Sequence, residues 1–297
     1  MLYREKILFS IQLSFRKLIC SITILVISSP LLSQKMPSDY FNEGVIFERN
    51  DDLNNSLASF EYIINNHPKN GYYASSYYNA ALILYKKKDY TESLLRFKNI
   101  LKGNFNELEP RGGDIMSDPY TNYRHWSSVY ISNIFYDQQQ YDSALYYFSL
   151  SDTLYDYQHF CGNAIEGYGI MSAMRYADIY KKLNQPDSAI KALLKYSFAN
   201  LNSNNEIIDE LKKLLSPKAK TIDLRKELDK GIALARKNEN KPGYAHDDEY
   251  VFDFLGYEMK IEADYFYRSF EEKSPKQKEI PKLLKTTDFY KMIASLK

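Results

Sequence analysis

The chain holds only two cysteines in 297 residues, Cys20 and Cys161. Cys20 lies in an N-terminal stretch that reads as removable, so one thiol is left and an intrachain disulfide framework is excluded. Cys161 reads as a small buried hydrophobe. Glycine and proline are scarce, at 11 and 10, and with so few breakers the helical spacing of apolar residues points to an all-α fold. Net charge is nearly absent, at +1. Lacking a basic excess, the chain carries no electrostatic footprint for nucleic acid or an anionic membrane surface. The apolar run from Leu18 to Leu32 is 15 residues long, short of the roughly 20 that a membrane-spanning helix needs.

That run follows Arg4, Lys6, Arg16 and Lys17 and is broken by Pro30. It reads as a signal peptide over 1–33, cut between Ser33 and Gln34, with an uncleaved anchor as the alternative. Arg16 and Lys17 stand where a lipoprotein signal would be apolar, which argues against lipidation at Cys20. Without the segment, 35 basic and 37 acidic residues remain. The expected location is exported, periplasmic or envelope-associated, in a bacterial cell.

What is abundant is tyrosine, with 28, and a recurring pairing of small residues. Gly44 with Ser56, Ala81 with Ser93, Ser132 with Ala144 and Ala177 with Ala189 are each twelve apart, and each pair is followed four residues later by Phe60, Phe97, Phe148 or Leu193. Two antiparallel helices that cross closely need small residues at the crossing and a bulky side chain to fill the joint. Around these pairs the spacing predicts four helix-turn-helix units. Polar turns separate their helices at 50–52, 86–89 and 138–140, and Pro186 opens the last helix, where its missing N–H costs little.

These positions resemble the tetratricopeptide repeat, a 34-residue motif with small residues at its eighth and twentieth positions, over residues 37–202. The spacings of 37, 51 and 45 between Ser56, Ser93, Ala144 and Ala189 imply insertions, the longest at 105–121. The resemblance implies a right-handed superhelical array whose concave face is lined from the first helix of each unit. Carried over by position, that lining is Phe41, Asn42, Val45 and Glu48; Tyr78, Asn79, Leu82 and Tyr85; Trp126, Val129, Tyr130, Asn133 and Tyr136; and Met174, Arg175, Asp178 and Lys181. The expected contact set within it is Phe41, Asn42, Tyr78, Asn79, Tyr85, Trp126, Tyr130, Asn133, Tyr136 and Arg175, with the rings of Tyr78, Tyr85, Trp126, Tyr130 and Tyr136 partly exposed. Of the residues with which some family members clamp a C-terminal carboxylate, only Asn79 is matched.

Residues 203–297 leave the repeat register and read as a helical C-terminal region, degenerate repeats or a cap, with helices expected over 206–215, 221–237, 247–272 and 281–296. His246, Asp247, Asp248 and Glu249 have metal-ligand types, but acids at a helix start serve its dipole, and no ligand spacing completes a zinc shell. His159 and Cys161 lack the surroundings of a nucleophile and its base. The chain is therefore expected to have no catalytic residues, no metal and no cofactor. The leading expectation is a non-catalytic scaffold that binds a protein or peptide on the concave face. A carbohydrate-binding or uptake component using the aromatic groove is the alternative, and a helical hydrolase with dispersed residues is a third.

Overall fold

The computed structural model describes residues 35–111, 118–238, 248–266 and 276–296. The signal-peptide segment, the middle of the 105–121 insertion, and His246 with Asp247 lie outside the described residues. The chain divides into two compact units, 1–83 and 84–297.

The repeat portion is a mostly helical array of α1 (Pro37–Arg49), α2 (Leu53–Asn66), α3 (Tyr73–Lys86), α4 (Tyr90–Lys102), α5 (Tyr123–Asp137), α6 (Tyr141–Thr153), α7 (Gly162–Lys182) and α8 (Pro186–Leu194). Within the first unit α1 packs on α2; within the second, α4 packs on α5, α5 on α6, α6 on α7 and α7 on α8.

One backbone turn is used four times. Asp51, Lys88, Gln139 and Asn184 adopt left-handed backbone, with φ of 59°, 61°, 60° and 56°. The next residue's N–H reaches back five positions: Asp52 to Phe47 at 2.8 Å, Asp89 to Leu84 at 2.9 Å, Gln140 to Phe135 at 2.8 Å and Gln185 to Tyr180 at 2.9 Å. With the N–H of the left-handed residue bonded three back, each helix end is closed as a Schellman motif. The carbonyls of Asp52, Asp89, Gln140 and Gln185 then accept the N–H groups of Ser56, Ser93, Ala144 and Ala189. Each second small residue is thus fixed one helical turn into its helix.

Small residues let the paired backbones approach. Ser56 Oγ donates to the Gly44 carbonyl at 2.8 Å, and Ser132 Oγ donates to the Ala144 carbonyl at 2.7 Å. The buried hydroxyls are thereby satisfied. A Cβ on Gly44 would lie 2.8 Å from two ring carbons of Phe60, so the bulky residue does cap this joint. Phe60, Phe97, Phe148 and Leu193 are all buried.

Beyond the repeats, α9 (Asn205–Ala219) packs on α8 and is followed by α10 (Leu224–Ala233). The helix expected to stop before Pro217 runs through it to Ala219. The helix expected over 221–237 ends at Ala233 and gives way to strand β1 (Arg236–Lys237). A larger correction concerns 247–272, expected as one helix. Its described part forms β2 (Glu249–Phe254) and β3 (Tyr257–Glu262), paired antiparallel with Phe252 opposite Met259 and Tyr250 opposite Ile261. Leu255 and Gly256 both have positive φ, 55° and 74°, which makes the two-residue turn whose twist suits a hairpin. Along β3, Met259 and Ile261 are buried while Glu258, Lys260 and Glu262 are exposed. The governing period is two, not 3.6.

The helix expected over 281–296 is also two, α11 (Ile280–Leu284) and α12 (Asp288–Ser295), separated where Thr287 Oγ1 accepts the Tyr290 N–H at 3.2 Å. Phe198, Phe252 and Phe289 meet edge to face, at 6.0 and 5.5 Å from Phe198, and form the aromatic centre of this region.

Candidate binding faces of the repeat helices

In the first unit the expected contact residues part company. Phe41 packs edge to face on Phe60 at 5.7 Å and against Tyr72 at 5.0 Å. Tyr78 is 6% exposed, which overturns its expected partial exposure: position 78 in α3 faces the core. Asn42 is exposed, and Asn79 and Phe41 are half-buried, so of these four only Tyr78 is withdrawn from the surface.

In the second unit α5 and α7 bring three expected residues together. Asn133 and Tyr136 lie three apart on α5, and Arg175 and Asp178 three apart on α7, so each pair shares a helix face. The Arg175 guanidinium sits 4.1 Å from the centre of the Tyr136 ring. Its Nη2 donates to Asn133 Oδ1 at 2.8 Å, and the Tyr136 hydroxyl donates to Asp178. Burial, followed by that bond to a carboxylate, pushes the Tyr136 phenol up to about 12. Lys181 continues the line with a 2.6 Å bond to Glu210 of α9, which holds the Glu210 carboxyl below its usual range. Arg175 Nε is sealed from solvent without a hydrogen-bond partner among the described residues. Tyr130 is half-buried, stacked on Phe97 at 5.4 Å and edge to face with Tyr85 at 5.2 Å.

Trp126 belongs to a different group. Its indole packs edge to face against His125 at 4.9 Å and Tyr157 at 5.8 Å, and its Nε1 is sealed without a partner among the described residues. The ring fills the junction of α5 with the α6–α7 loop and offers no polar handle to a ligand. His125 is fully buried. Its Nδ1 lies 2.8 Å from the Tyr155 carbonyl and 3.2 Å from that of Ser151, so Nδ1 carries the proton. Burial pushes its pKa down. The same loop is tied to the insertion by Asn122, whose side chain accepts the Gln158 N–H at 2.8 Å and donates to the Gln158 carbonyl at 3.1 Å.

A pocket of about 790 Å³ opens among α6, α7 and α8, and none of the expected contact residues lines it. Tyr168, Ser172, Tyr176 and Tyr180 follow at steps of four along α7 and share one face, distinct from that of Arg175 and Asp178. Two of their hydroxyls converge on Asp152: Tyr168 at 3.2 Å and Ser172 at 3.1 Å. Burial and the nearby carboxylate push the Tyr168 and Tyr176 phenols well above the usual range. Gly169 leaves room for Tyr196, whose ring a Cβ would strike. The four-residue ladder of hydroxyls on α7 is visible in the sequence, but its convergence on Asp152 depends on how α6 packs.

His159 Nδ1 accepts the backbone N–H of Cys161 at 2.9 Å. The pair builds a tight turn before α7, with that ring nitrogen engaged by the backbone. Among the described residues no group of three or more His, Cys, Asp or Glu is placed to hold a metal ion. In comparison with known proteins, no protein-family model and no curated protein matches the chain.

Proposed function

We propose that this protein is an exported, non-catalytic scaffold of the tetratricopeptide-repeat type that binds a protein or peptide along the first-helix faces of its repeats. The observation that carries the reading is the α5–α7 face. There Asn133, Tyr136 and Arg175 form a half-buried polar and aromatic row, supported by four identically closed turns. Such a row offers amide and guanidinium groups to the backbone of an extended peptide, with a ring for apolar contact. Truncated aromatic and arginine anchors typically cost about 2 kcal/mol in an interface. Photo-crosslinking from position 133 identifies the bound segment. Its binding to Arg175→Ala is then expected to weaken at least tenfold, with helicity unchanged. Undiminished binding by that variant would sink the first-helix face as the site.

Export rests on the basic start and short apolar run of 1–33. Among the described residues no helix is long and apolar enough to cross a membrane. Cell fractionation with N-terminal sequencing is expected to place a chain beginning near Gln34 outside the cytoplasm. A full-length cytoplasmic chain would contradict this.

A further inference from the structure

We infer that the pocket among α6, α7 and α8 is a second binding site, separate from the first-helix face, and that its ligand is a neutral carbohydrate. The volume of about 790 Å³ lies within the roughly 300–1,000 Å³ typical of small-molecule sites. Its walls combine tyrosine rings with a few convergent polar groups. Tyr157 stacks on Tyr168 at 4.8 Å and Tyr176 on Tyr180 at 6.2 Å, and all four rings line the cavity.

Charge selects among ligands. Asp152 and Asp156 line the pocket from α6 and the loop after it, while Lys191 and Lys195 line it from α8 and the residue that follows. A cation drawn to Asp152 would also meet the two ammonium groups, and an anion drawn to Lys191 and Lys195 would meet the two carboxylates. A neutral ligand bears neither penalty. Asp152 accepts hydroxyls from Tyr168 and Ser172. A carboxylate has about four lone-pair sites, so two are left for further hydroxyl donors. The residue is exposed at the pocket, where a ligand reaches it. A ligand that is neutral, rich in O–H donors and provided with C–H faces for the electron-rich face of a phenol ring is a sugar.

The test is titration calorimetry of the purified chain against neutral hexasaccharides of glucose, xylose and mannose, with choline and a sulfated glycan as charged probes. At least one neutral hexasaccharide is expected to bind. Asp152→Asn, which removes the charged acceptor, and Ala192→Trp, which fills the cavity from α8, are each expected to weaken that binding at least tenfold. Circular dichroism checks that each remains folded. Arg175→Ala is expected to leave sugar binding unchanged, so this site and the peptide-binding reading stand or fall separately. Binding of choline or the sulfated glycan alone, binding of no probe at millimolar concentration, or neutral binding that survives a folded Ala192→Trp would each overturn the proposal.

Discussion

Gly231→Ala is expected to destabilise the protein by about 3 kcal/mol, at the top of the usual range for overpacking. Gly231 is buried in α10, and a Cβ there would fall inside the envelope of the Asp253 carbonyl oxygen in β2. That oxygen belongs to the backbone of β2, where Asp253 stands opposite Glu258 of β3, so it cannot swing away as a flexible side chain would. Either α10 lifts off the sheet or the ladder distorts, and both expose the Phe198–Phe252–Phe289 centre. Gly71→Ala is the control, because a Cβ at Gly71 has nothing within 4 Å and a surface change of this kind stays within about 0.5 kcal/mol. Urea melts of the two variants decide the matter. A Gly231→Ala midpoint equal to that of the parent would mean that α10 and β2 do not approach this closely.

Gly231 also marks where sequence reasoning lost the fold. The repeats were legible because their signal is short-range: a small residue, a left-handed turn seven positions on, and a second small residue five after that, all fixed by backbone bonds. The hairpin was not, because Phe252, Leu255, Met259 and Phe266 satisfy helical spacing while Met259 and Ile261 against Glu258, Lys260 and Glu262 satisfy strand spacing. The Leu255-Gly256 turn settles the choice, and a lone glycine beside leucine is a weak turn signal. Pro217 misled in the opposite direction, since it sits in the last turn of α9, where few helical bonds remain to be lost.

The candidate faces were legible to unequal degrees. The resemblance to the tetratricopeptide repeat implied that Asn133, Tyr136, Arg175 and Asp178 stand at corresponding points of successive first helices, and the structure joins them. It assigned Tyr78 and Trp126 to the same face, where the structure packs Tyr78 into the core and sets Trp126 against His125 and Tyr157. Tyr157 belongs to the α6–α7 loop, which no periodicity describes. The pocket escaped because Asp152 comes from a second helix and its hydroxyl partners from the next first helix.

Phe148→Ala is expected to cost about 3–5 kcal/mol, the range for truncating a buried phenylalanine. The ring is 1% exposed, follows Ala144 by one helical turn on α6, and meets Tyr176 of α7 edge to face at 4.7 Å. It shares its cluster with Val129, Ala144 and Ile179, so its loss opens a cavity touching α5, α6 and α7 together. In a repeat array, stability is approximately a sum of terms within units and terms between neighbours. Phe148 contributes to both, since it closes its own α5–α6 joint and supplies the contact to the following unit. Phe148→Leu, which keeps part of the volume, is expected to cost about 1 kcal/mol. Tyr146→Ala, two residues away but 59% exposed, is expected to stay within about 1 kcal/mol. Denaturant melts of the three variants test the register of α6 directly. If Tyr146→Ala proved as damaging as Phe148→Ala, α6 would be rotated from the position that its small residue and the turn before it dictate.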